Sequence, residues 1–246
     1  MGRLRRAAGV ARSLAAYYGG PFRARRMAGF YSKFVARGSL AFDIGAHAGN
    51  RIRAFRRLGA RVIAVEPQPD LSRMLRFMFR RDPEVVVLAV AVGAQPEGLR
   101  RSAAEPAAKA PASGWAAHGS TERSFQRVFR DARADAGVST LDALIARHGP
   151  PAFVCLDLDG READALHGLG RAVPALSFRY RPAARRAALA CLDRLESLGR
   201  YGYNWSAGAS CQLAATDWLD AARMREVLLR MPPGAVGGFV YARQLR

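Results

Sequence analysis

Short apolar runs alternate with longer stretches of helical period along this chain. Leu40 to Ile44, Arg61 to Val65, Val85 to Val92, Phe153 to Leu158 and Pro174 to Tyr180 read as strands. Between them, Asn50 to Leu58, Pro69 to Arg80, Thr140 to Arg147, Arg161 to Leu169 and Ala183 to Leu198 carry apolar residues at helical spacing, the pattern of a helix with one buried face. In the second of these, Leu71, Met74, Leu75 and Met78 share a face; in the last, Leu189, Leu192, Leu195 and Leu198 do. Thr140 is placed to cap its helix, and Gly149-Pro150-Pro151 to stop it. Val85 to Val92 is apolar at every position, which predicts a strand covered on both faces. Tyr201 to Ser206 and Gly238 to Leu245 predict a closing pair of strands with a helix over 216–229 between them. The alternation predicts an α/β fold, a parallel sheet with helices on both faces. From Gly93 to Gly137 the period fades, so 93–137 reads as an insertion or mobile loop facing the substrate.

The first strand ends on an acid, Asp43, and turns through Gly45 and Gly49; the second ends on Glu66. Without side chains, the two glycines allow the turn's backbone to press on a ligand and its N–H groups to face it. A carboxylate at the end of the second strand of such a sheet lies against a ribose diol. The dinucleotide fingerprint would need glycines at 45, 47 and 50, where the chain has Gly45, His47 and Asn50. The pattern fits S-adenosylmethionine better.

With 246 residues, the chain is long enough for one substantial core, over 39–246, preceded by a basic helical extension, 1–38. The first 40 residues hold nine basic side chains and no acid, interleaved with Tyr17, Tyr18, Phe22, Phe30, Tyr31 and Phe34. That composition resembles a transit peptide, but its aromatics and direct run into the first strand predict a segment packed on the domain. The net charge of +19 raises nucleic acid as a partner, yet 37 of the 39 basic residues are arginine, dispersed over predicted helices. A compositional bias accounts for this without a dedicated polyanion site. No apolar run reaches the ~20 residues of a membrane span. Cys155, Cys191 and Cys211 are odd in number and lack ligand spacing, which predicts a reducing, cytoplasmic setting and no metal centre.

Five stretches in order, Phe42-Asp43-Ile44-Gly45-Ala46-His47-Ala48-Gly49-Asn50, Ala64-Val65-Glu66-Pro67-Gln68-Pro69, Thr140-Leu141-Asp142-Ala143-Leu144-Ile145, Leu156-Asp157-Leu158-Asp159-Gly160-Arg161-Glu162 and Val240-Tyr241-Ala242-Arg243, resemble the FkbM family of S-adenosylmethionine-dependent methyltransferases. The resemblance implies a Rossmann-like, seven-stranded class I methyltransferase sheet and methyl transfer to a hydroxyl of a sugar, glycan or secondary metabolite. It implies that Asp43, Gly45, His47, Gly49 and Asn50 surround the methionine part of S-adenosylmethionine. By the same resemblance, Glu66 takes the ribose hydroxyls, Gln68 lies near the adenosine, and Ala91 and Val92 pack on the adenine.

Around the acceptor the chain departs from the family. Cys155 stands where a lysine is usual, Asp159 where a glutamate is, and Arg179, Ala209 and Phe239 where acids are expected. Asp157 and Asp159 are the paired carboxylates at a strand end and the candidate catalytic residues, Asp159 being also a candidate helix cap. Arg179 is the candidate substrate-binding residue: its guanidinium either pairs with one of these aspartates or meets an anionic acceptor. Two other classes stay open, a cofactor-binding chain with little turnover and an RNA methyltransferase using the basic, aromatic N-terminal segment.

Overall fold

The computed structural model describes residues 21–95, 137–208 and 210–245. Seven strands form one sheet in the order β3-β2-β1-β6-β7-β9-β8. They are β1 (Leu40–Ile44), β2 (Arg61–Val65), β3 (Val85–Leu88), β6 (Phe153–Leu156), β7 (Ala175–Tyr180), β8 (Tyr201–Ala207) and β9 (Gly238–Gln244). β9 runs antiparallel to both of its neighbours, and the other paired strands run parallel. β4 (Ala91–Val92) and β5 (Val138–Ser139) pair separately. The fold is thus a Rossmann-like α/β fold with one seven-stranded sheet, mixed where the alternation alone predicts it parallel.

Alternation along the strands sends each side chain to one of two cores. Leu40, Phe42 and Ile44 of β1, Val154 and Leu156 of β6, and Leu176 and Phe178 of β7 face α4 (Leu141–His148), α5 (Glu162–His167), α6 (Arg185–Leu198) and α7 (Ala221–Arg230). Ala41, Phe153, Cys155, Phe239 and Tyr241 face α1 (Pro21–Tyr31) and α2 (Asn50–Arg57) on the other side, and Leu75 of α3 (Pro69–Met78) joins that cluster. Helix α1 is held there by rings: Phe30 meets Tyr241 edge-on at 5.0 Å, and Tyr31 meets Phe55 at 5.0 Å. Residues 1–20 of the expected extension, and most of 93–137, lie outside the described residues. Among the described residues, no helix is long and apolar enough to cross a membrane.

One local expectation changes. The apolar run from Val85 to Val92 is not one buried strand: β3 stops at Leu88, leaves Val86 exposed at the sheet edge, and Ala91–Val92 pairs with Val138–Ser139 instead. An unbroken apolar run specifies burial but not how many neighbours a strand has, and an edge strand has one. Helix α4 starts as expected, with Thr140 Oγ1 accepting from Ala143 N and Gly149 at its end.

Candidate active site

The sheet's parallel strands deliver Asp43, Glu66 and Asp157 to one end, and the turn after β1 crosses above them. Its geometry is set by three left-handed residues, Gly45 (φ 82), His47 (φ 48) and Gly49 (φ 81). A Cβ on Gly45 would overlap the carbonyl oxygen of Asp157, and one on Gly49 would lie 2.8 Å from Leu75 Cδ2. The glycines therefore let the turn pack on β6 and α3, not on open space for a ligand. Its N–H groups are also engaged internally. Gly45 and Ala46 donate to Val65 O at 2.8 and 3.0 Å, Gly49 to Ala46 O at 2.8 Å, and His47 to Glu66 Oε2 at 2.9 Å.

Glu66 is buried, with its other oxygen accepting from Gln68 N at 2.9 Å. Each of its oxygens retains a further lone pair. The carboxylate of Asp43 is fully buried, and neither of its oxygens accepts a hydrogen bond among the described residues. Its nearest cation is Arg51, NH1 to Oδ1 3.6 Å. Burial pushes the Asp43 carboxyl up to about 6, with Arg51 pulling against it and Asp157 adding to the rise. Gln68 Oε1 is likewise buried without a hydrogen-bond partner.

Asp157 sits between two guanidiniums. Arg51 NH2 donates to Oδ2 at 2.7 Å, and Arg179 Nε lies 2.9 Å from Oδ1. Burial alone would raise this carboxyl, but Arg179, Arg51 and His47 outweigh it and hold it well below the ordinary carboxylate range. Both guanidiniums also lie over the Phe239 ring, at 4.8 and 5.6 Å from its centroid. Arg179 reaches Asp159 as well, NH1 to Oδ1 3.2 Å, and Arg181 NH2 binds the same oxygen. Arg179 thus pairs with both aspartates.

His47 Nε2 is 3.3 Å from Asp157 O, and Nδ1 is 4.0 Å from Glu66 Oε2. Burial would lower its ring, but the Asp157, Glu66 and Asp159 carboxylates together hold it above its usual value. Asp159 caps no helix. It lies in the left-handed region at φ 56, and it is Glu162 that accepts from Leu158 N and Gly160 N, at 2.8 and 2.9 Å. Burial pushes the Glu162 carboxyl up to about 7 despite those backbone donors.

Of the residues that sequence reasoning assigns to the site, contacts link Asp43, His47, Glu66, Asp157, Asp159 and Arg179, in part through Arg51, while Gly45 lies in the turn beside them and Asn50 opens α2. Ala91 and Val92 are buried on β4, outside the main sheet, and Gly49 faces α3. Arg51 and Arg181 went unnoticed. Arg51 left a signal: the first turn of α2 has no acid, although a helix N-terminus disfavours a cation, so a guanidinium there needs carboxylate partners. Among the described residues, no group of three His, Cys, Asp or Glu is placed to hold a metal.

Compared with known families, residues 43–182 match the methyltransferase FkbM domain. The chain belongs to the FkbM methyltransferase family. No curated protein matches it in sequence. Solved structures similar to this FkbM-family chain include a putative O-methyltransferase from Klebsiella pneumoniae, at 8% identity over 97% of this chain and 90% of that one, TM-score 0.49. A TehB-like SAM-dependent methyltransferase from Corynebacterium glutamicum is 12% identical over 94% and 92%, TM-score 0.47. A precorrin-6y C5,15-methyltransferase from Geobacter metallireducens is 12% identical over 89% and 87%, TM-score 0.43.

Proposed function

We propose that this protein is an S-adenosylmethionine-dependent O-methyltransferase acting on a hydroxyl of a sugar, glycan or secondary metabolite. Family membership supports methyl transfer, and one observation of the site supports the cofactor. Four of the turn's N–H groups already have partners, while three buried acceptors, Asp43, Glu66 and Gln68, stand beside it. That donor-poor, acceptor-rich wall suits a ligand with an ammonium, a ribose diol and no phosphate, and it opposes a dinucleotide. In this reading Asp43, His47 and Asn50 enclose the methionine part, Gly45 and Gly49 contribute only the backbone of the turn that carries them, and Glu66 accepts from the ribose. Gln68, Ala91 and Val92 flank the adenosine.

When bound, the cofactor supplies an electrophilic methyl group; the chain's residues align the acceptor and exclude water. A carboxylate held between two guanidiniums is a poor proton acceptor, so we assign Asp157 the positioning of Arg51 and Arg179. Asp159, the more exposed of the pair, stands at the acceptor entrance. The reading of a cofactor-binding chain with little turnover draws on the same ion pairs, and a methyl-transfer screen against neutral and acidic glycans separates the two.

Calorimetry with S-adenosylmethionine tests the core of this proposal. Loss of a carboxylate–diol contact of about 1.5–3 kcal/mol gives Glu66→Ala at least a tenfold weaker affinity. Equal affinity of the variant and the parent chain removes Glu66 from the ribose site.

A further inference from the structure

At the ends of β6 and β7 the site holds a second feature that methyl transfer to a neutral hydroxyl does not use. Arg179 and Arg181 converge on a single carboxylate oxygen, Asp159 Oδ1. Arg181 NH1 also donates to Asp159 O at 3.4 Å. The guanidiniums are the enclosed partners, with side chains 10% and 23% exposed, whereas the Asp159 side chain is 49% exposed. This inverts the usual surface ion pair, in which the cation's flexible end lies in solvent. Arg179 is fixed from behind by Asp157, 2.9 Å away, and from one face by Phe239. Arg181 Nε is buried and donates to nothing among the described residues, so the carboxylate it holds does not saturate its fork. Asp159 rides on a turn with Gly160 at φ 101 and open space around that glycine.

We propose that Arg179 and Arg181 form a recognition site for an acidic group on the acceptor, a carboxylate or a phosphate, and that Asp159 is the internal counter-ion which this group displaces. The proposal rests on the methyltransferase reading and narrows its acceptor to a sugar or metabolite bearing an acid. A planar fork meets a carboxylate or phosphate through two parallel hydrogen bonds, which a single shared aspartate oxygen does not provide. Holding the forks in place before the ligand arrives lowers the ordering cost of binding. Arg51 stays behind, on Asp43 and Asp157, and takes no part in this site.

The test is calorimetric titration of the intact chain at low salt with glucuronate, glucose 6-phosphate and glucose, alongside a separate titration with S-adenosylhomocysteine. At least one of the two acids is expected to bind tenfold or more tightly than glucose, and which one does so tells carboxylate from phosphate. Arg181→Gln should remove that preference. Arg200→Gln, the same change of charge just before β8 at the opposite end of the strands, should leave it. Asp159→Asn, which deletes the competing carboxylate, should tighten acid binding at least threefold. Acids that bind no better than glucose overturn the proposal. So does an Arg181→Gln variant that matches Arg200→Gln, or an Asp159→Asn variant that binds acids more weakly. If S-adenosylhomocysteine binds and the acids show no preference, the anion site falls alone; if the acids bind selectively and S-adenosylhomocysteine does not, the cofactor reading falls and the anion site stands.

Discussion

Asp43 on β1 and Asp157 just past the end of the adjacent β6 are neighbours, yet they titrate in opposite directions. Asp157 has two close guanidiniums and is held low; Asp43 has one distant guanidinium and is pushed up to about 6 from 3.8. The signs follow from proton linkage. Between those two values the native chain keeps a proton on Asp43 that the unfolded chain has lost, so this residue favours folding at the acid end, and its contribution fades as pH rises through about 6. Asp157 acts oppositely, stabilising above the ordinary aspartate range and losing its effect as pH falls. Asp43→Asn should therefore leave stability unchanged near pH 4 and raise it at pH 8, by at most about 3 kcal/mol. Urea unfolding at both pH values checks this, and a variant destabilised at pH 8 would refute it. The same variant should bind S-adenosylmethionine more weakly, because in the proposed site the buried charge it removes is the partner offered to an ammonium. Arg51→Gln carries the opposite risk: it leaves Asp157 with one guanidinium and Asp43 with none, and should cost about 3–5 kcal/mol. A midpoint within error of the parent would show that Arg51 contributes little to this network.

At the level of elements, the sequence was most legible where period and punctuation agreed. β1 and β2 begin and end where the apolar runs do, and Thr140 and Gly149 bound α4 as their chemistry requires. Parity was legible too. Phe153 and Cys155 alternate with Val154 and Leu156, and Phe239 and Tyr241 with Val240 and Ala242, which puts Asp43, Asp157 and Arg179 toward one face. Beyond the closing pair, which the structure has as β8 and β9, partners between strands were not legible, since no local pattern says that β3 is an edge, that β9 also lies antiparallel to β7, or that Asp159 meets Arg181. The glycines show the limit most plainly. Gly45 and Gly49 mark a turn that needs positive φ, but the sequence does not say whether a ligand or the protein fills the space beside them. Here the protein does, so Gly45→Ala should lose both a backbone term of about 1–2 kcal/mol and the fit against the Asp157 carbonyl. Gly160→Ala, also at positive φ but with nothing within 4 Å, should lose the backbone term alone. Thermal unfolding of the two variants side by side decides it: equal losses would show that the close approach at Gly45 relaxes without cost.

For the molecule as a whole, the charge of +19 is the property most open to misreading. Arg51, Arg56, Arg161, Arg179, Arg181 and Arg225 each pair with an aspartate, but those pairs are already netted out of the +19, so the excess lies on other basic side chains. The ring-rich segment that would serve as a stacking surface for RNA also has another use in part. Phe30, Tyr31 and Phe34 pack against Tyr241 and Phe153 of the sheet, so their faces are not offered to bases. What remains is attraction without readout, which is carried by counter-ion release and collapses with salt. Anisotropy with a labelled single-stranded oligouridylate should show binding at about 50 mM salt that falls by about 1,000-fold or more at about 200 mM. Over the same change the affinity for S-adenosylhomocysteine should move less than threefold, because in the proposed site its contacts are buried hydrogen bonds to groups such as Glu66 and Gln68. RNA affinity that survived the higher salt would require fixed base contacts and would return an RNA acceptor to first place; joint collapse of both affinities would mean that the cofactor too is held by surface charge, which the enclosed carboxylates of Asp43 and Glu66 argue against.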